Sequence, residues 1–139
     1  MSAAEKYLST YSLDFDNIDD EGDVIRRNVI LLNSDVIPGA PYFTLTWFLK
    51  NTGMMQKPHT HDFDEHVGFV GSDPDDPTDL GAVVRFMVDD EWITMDKSGV
   101  IFIPAGVKHC PYVIEEVRRP VIHWSAGSTG TYAQAVTAS

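Results

Sequence analysis

The stretch Gly53-Met54-Met55-Gln56-Lys57-Pro58-His59-Thr60-His61-Asp62-Phe63-Asp64-Glu65 decides how this chain is read. His59 and His61 stand two residues apart. On a helix they would point about 200° apart and could not share a ligand. On a strand they share one face. Gly53 and Pro58 and the lack of helical periodicity favour the strand. Glu65 has the same parity, four residues further on. Two imidazoles and a carboxylate on one face form an arc of three donors for a cation.

A second stretch complements the first. Gly99-Val100-Ile101-Phe102-Ile103-Pro104-Ala105-Gly106-Val107-Lys108-His109 is an apolar strand, a tight turn and a histidine. Proline suits the second position of such a turn and glycine the fourth. The turn returns His109 along a neighbouring strand.

Together the two stretches resemble the paired motifs of the cupin superfamily. The first motif is glycine, His-x-His and glutamate, here Gly53, His59, His61 and Glu65. The second is glycine, an apolar strand, Pro-x-Gly and histidine, here Gly99, Pro104, Gly106 and His109. The resemblance spans about residues 40 to 126. The run from Pro58 to Glu65 is most similar to a group of small bacterial cupins. The resemblance implies an all-β fold, a single-domain jelly-roll barrel or double-stranded β-helix. It also implies one divalent transition metal, held by His59, His61, Glu65 and His109. Such a mixed nitrogen and oxygen set suits Fe, Mn, Zn, Ni or Cu without choosing among them. Four protein ligands leave open positions on the ion, as catalysis needs.

The rest of the chain fits a strand protein of 139 residues. Turn punctuation is frequent, as at Pro38-Gly39, Asn51-Thr52-Gly53 and Ser98-Gly99. Between such points, strands are predicted over 28–36, 42–50, 66–70, 82–88, 91–95, 100–103, 112–117 and 120–125. A short helix is predicted near 3–10. The expected organisation is an acidic N-terminal extension over 1–27, the barrel over 28–126 and a tail over 127–139.

The formal net charge is −11. That argues against nucleic acid and against anionic membrane surfaces, both of which attract basic faces. The single cysteine, Cys110, has no partner for an internal disulfide. No signal-peptide pattern or long apolar run is visible, so the expected location is cytoplasmic. A homodimer is expected, since strand proteins have edges to cover.

Further residues are candidates for handling a small-molecule substrate or ligand. His123, and more weakly Tyr112, could move protons. Arg85 either pairs outward with the acidic surface or points inward and clamps a substrate carboxylate. Phe48 and Met55 are candidate pocket walls. His66 has the wrong parity for the metal, and Cys110 reads as a small buried hydrophobe. The acidic run Asp73–Asp79 reads as a solvated loop. The expected function is metal-dependent chemistry on a small organic molecule, as an oxygenase, isomerase, decarboxylase or lyase. The alternative is a non-catalytic small-molecule-binding module, with or without metal.

Overall fold

The computed structural model describes residues 1–13 and 16–129, and the backbone of a last short strand at Ala135–Val136. A capped turn of helix, α1 (Ala3–Tyr7), leads the chain. Ser2 Oγ accepts from the Glu5 N–H at 3.2 Å and starts the helix, which ends before the predicted Thr10. The strands follow as β1 (Asp16–Ile18), β2 (Val24–Leu32), β3 (Phe43–Phe48), β4 (His59–Thr60), β5 (Glu65–Gly71) and β6 (Asp79–Val88). Then come β7 (Glu91–Lys97), β8 (Gly99–Ile103), β9 (His109–Glu115), β10 (Val121–Gly127) and β11 (Ala135–Val136).

Two antiparallel sheets face each other. One has the order β1-β2-β3-β10-β5-β8, the other β11-β4-β9-β6-β7. Neighbours such as β5 and β10 are far apart in sequence, as a jelly roll requires.

Strand parity builds the core. On β6, Leu80, Ala82, Val84 and Phe86 point inward and are almost fully buried. On β8, Ile101 and Ile103 face in while Val100 and Phe102 face out. Phe48, Phe69, Ile114 and Val121 close the same cluster. Burying each large apolar side chain contributes about 1.5–3 kcal/mol before chain entropy is counted.

Three expectations change in detail. The first sheet begins at Val24, ahead of the boundary at residue 28, and β1 pairs with β2 earlier still. The predicted strand over 28–36 stops at Leu32. There Asn33 Oδ1 accepts from the N–H groups of Asp35 and Val36, both at 3.0 Å, and turns the chain. Of the expected tail, residues 127–129 and Ala135–Val136 are described, and the remainder lies outside the described residues.

Candidate metal centre and its cavity

The two motif segments lock together through their backbones. His59 on β4 stands opposite His109 on β9. The turn at Pro104–Gly106 docks on the loop after β4: the Gly106 N–H donates to the His61 carbonyl at 2.7 Å. The Ala105 N–H donates to Asp64 Oδ1 at 3.0 Å. Gly106 has φ +84°, a conformation that side chains disfavour.

This docking gathers His59, His61 and His109, each almost fully buried. One ring nitrogen from each lies within 4.8 Å of the others. Their ring centroids are 4.3–4.9 Å apart. Phe63 stacks on His61 at 4.6 Å and fixes its plane.

The outer nitrogens fix the tautomers. Nδ1 of His109 is 2.9 Å from the Val107 carbonyl, and Nδ1 of His59 is 2.6 Å from that of Lys57. A carbonyl only accepts, so each Nδ1 carries the proton and each Nε2 keeps its lone pair. Burial pushes the His59 pKa down and keeps its ring neutral.

Glu65 sits among these rings. Its Oε1 lies 3.1 Å from His109 Nε2, and its Oε2 lies 3.4 Å from His61 Nε2. Burial pushes its pKa up, but the facing His109 and the Tyr42 hydroxyl outweigh that and hold it below the usual carboxylate range. Tyr42 Oη donates to Oε2, and Ser125 Oγ donates to the same oxygen at 3.4 Å. Gly127 makes room for this support, since a Cβ there would meet Tyr42 at 2.2 Å and Phe63 at 2.6 Å.

With Nδ1 of His109 turned outward to a carbonyl, the 3.1 Å approach of Glu65 to Nε2 needs a proton or a cation between them. His109 Nε2 is buried and has no hydrogen bond of good geometry. Such an atom is costly in an apolar interior. The donor set therefore fits a divalent transition metal. Bound there, the metal would supply Lewis acidity at its open positions.

Behind the cluster lies a cavity of about 210 Å³. Its walls include His59, Glu65, Tyr42, Tyr112, His123 and Arg26. Burial lowers the His123 pKa to about 4, and its Nδ1 donates to the Gly68 carbonyl at 2.9 Å. Burial raises the Tyr112 pKa to about 12. Both are therefore neutral at physiological pH.

The other predicted residues divide. Phe48 is fully buried and packs edge-on against Tyr112 at 6.3 Å, in the core behind the cavity wall. Met55 pairs with Tyr112 through backbone hydrogen bonds and packs on the core, and it is not among the lining residues. The inward clamp expected of Arg85 is corrected. Arg85 lies on the outer face of β6, half exposed, with Nη2 3.3 Å from Glu115 Oε2. Its parity is opposite to Val84 and Phe86, so it cannot reach the cavity.

His66 is exposed and accepts from Trp124 Nε1 at 3.0 Å. Sequence reasoning missed Arg26, Tyr42 and Ser125. No local motif marks them, and strand pairing alone brings them to the site.

No protein-family model and no curated protein matches the sequence. Solved structures match its fold. Peruvianin-I, a cysteine peptidase from Thevetia peruviana latex, is 10% identical over 99% of this chain and 80% of its own, with TM-score 0.62. A mutant of Bacillus subtilis oxalate decarboxylase is 14% identical over 79% of this chain, with TM-score 0.53. An oxalate oxidase is 10% identical over 87% of this chain, also with TM-score 0.53. The chain spans 28% of the decarboxylase and 60% of the oxidase. Among the described residues no helix is long and apolar enough to cross a membrane. The sheet topology, the paired histidine segments and these likenesses agree, and the chain has the cupin fold.

Proposed function

We propose that this chain is a metal-dependent cupin enzyme acting on a small organic molecule, with the metal held by His59, His61, Glu65 and His109. The carrying observation is the gathering of three buried imidazoles around an ionised carboxylate, with His59 and Glu65 on the wall of a cavity. The lining suits chemistry as well as binding. His123 and Tyr112 are neutral, buried and close to the cluster, so either can hold or pass a proton. The decarboxylase and oxidase show that comparable barrels carry out such reactions.

Peptidase chemistry is not part of this reading. The Cys110 thiol is buried, and burial pushes its pKa up to about 12, so it is a poor nucleophile. The reading also makes the chain a cytoplasmic homodimer, paired through β8. That edge strand leaves Val100 55% and Phe102 62% exposed. Light scattering at the mass of a single chain would end that part.

The test is elemental analysis of untagged protein, followed by a turnover screen of small organic molecules with and without O₂. Near-stoichiometric transition metal that is lost in His61→Ala supports the site. Metal-free, fully folded protein defeats it. Bound metal with a retained but unchanged ligand would favour the binding module.

A further inference from the structure

The arginines of this acidic chain are matched to carboxylates almost everywhere. Arg27 faces Asp16, Arg85 faces Glu115, and Arg118 and Arg119 both face Asp79. Arg26 is the exception, with no ion pair among the described residues. Its Nε is buried and without a hydrogen-bond partner. Its guanidinium lies over the Phe48 ring, 5.6 Å from the centroid. It lines the same cavity as His59 and Glu65.

Arg26 is half-buried, and a buried Nε with neither a hydrogen-bond partner nor a counter-ion is poorly satisfied. Phe48 offers it a π-face but no anion. Tyr112 and His123, near enough to feel its charge, are both neutral. The one acid on the cavity wall, Glu65, is committed to the histidines and Tyr42. The positive end of the cavity thus lacks what a bound anion supplies. The rest of the wall is suited to carbon, with Leu31, Val67 and Phe86.

We infer that Arg26 is the anion-binding residue of this cavity and that the ligand is a small organic carboxylate. The guanidinium fork matches a carboxylate in two parallel hydrogen bonds. The carbon skeleton lies against Leu31, Val67 and Phe86. A cavity of about 210 Å³ suits a small ligand. The inference deepens the proposed function and rests on its reading of the cavity as the substrate site.

The experiment is calorimetric titration with acetate, glycolate and malonate, and with neutral malonamide and inorganic phosphate as contrasts. It is run on the protein as purified and after chelator treatment. At least one acid is expected to bind saturably, and malonamide not at all. Arg26→Gln should weaken that acid about tenfold to hundredfold, the value of a charged hydrogen-bond pair. Arg26→Lys, which keeps the charge and loses the fork, should weaken it about threefold to tenfold. Arg85→Gln removes the same charge outside the cavity and should leave binding unchanged.

No binding by any of the acids overturns the inference. So does a folded Arg26→Gln protein with the affinity of the parent, or phosphate binding in place of the acids. If Arg26→Gln does not fold, unchanged affinity in Arg26→Lys overturns it. Arg26-dependent binding in protein that proves metal-free as purified would uphold this inference while the metal reading fails. Intact metal with no Arg26 effect would do the reverse.

Discussion

The cavity has two ends, and they are built differently. At the histidine end, donors come from two short segments, His59–Glu65 and Pro104–His109, which the chain docks through Gly106 and Asp64. At the arginine end, Arg26 and Leu31 come from β2, Val67 from β5 and Phe86 from β6, and sheet pairing alone brings them together. The first end is dense in polar groups that need a cation. The second is sparse, apolar and carries one unpaired charge. Chemistry that needs fixed geometry is concentrated in a local motif, and selection of the ligand is left to the walls.

Removing one imidazole tests the histidine end most severely. His109→Ala takes away a ligand with its own carbonyl support. Metal affinity should fall by more than the roughly 10–100-fold that losing a supporting residue costs. Elemental analysis after dialysis reads it, and full metal occupancy in the variant would remove His109 from the site. The arginine end should keep its carboxylate affinity in the same protein without metal, which separates the two ends.

The wall between the ends has its own signature in pH. His123 holds a pKa of about 4 in the fold against 6.5 for the free side chain. The unfolded chain therefore takes up a proton below pH 6.5 that the folded chain refuses. Its contribution to stability is complete above 6.5 and is lost as pH falls toward 4. The amount is up to about 3 kcal/mol. Urea unfolding at pH 7 and pH 4.5 should show a smaller difference for His123→Gln than for the parent. Equal differences would mean that His123 is charged or exposed in the folded chain.

The same contrast explains what the sequence made legible. His59, His61, Glu65 and His109 could be picked out because the two motifs are local in sequence. The single strand face read over 59–65 is corrected: β4 ends at Thr60, His61 lies in the loop after it, and Glu65 opens β5 in the other sheet. The jelly roll followed from strand spacing and from the same motif. Arg26 and Arg85 could not be sorted that way. Arg85 had a visible parity but no visible inside, because the sheet that β6 faces is set by distant pairing. Arg26 lay in a segment that reads as an acidic extension, and β2 carries a register shift between Asn28 and Ile30. That shift lets Arg26 and Leu31, of opposite parity, line one cavity. Tyr42 was hidden for a related reason, since its role depends on Gly127, which is far along the chain but packed beside it.

Tyr42→Phe sharpens the boundary between the ends. The hydroxyl donates to Glu65 and orients it, so its loss should weaken metal by about 10–100-fold and leave the fold intact. Tyr42 is 2% exposed and the phenylalanine ring fills the same space. Thermal unfolding without metal should therefore move little, while Ser125 Oγ remains as a poorer donor to Glu65 at 3.4 Å. Unchanged metal affinity would make the hydroxyl a packing group only.

The smallest effect belongs outside the barrel. Arg85 and Glu115 form a surface pair whose side chains are 51% and 38% exposed. Solvent and salt screen such a pair, and it contributes about 0–1 kcal/mol. Arg85→Gln should leave metal content unchanged and move stability by less than about 1 kcal/mol. The value of the variant is the contrast. One arginine of the two can be removed freely because a carboxylate and water already satisfy it. The other is half-buried on the cavity wall, with its Nε buried and unpartnered and no carboxylate facing it among the described residues. A large loss of metal or of carboxylate affinity in Arg85→Gln would reverse that contrast and return the anion site to β6.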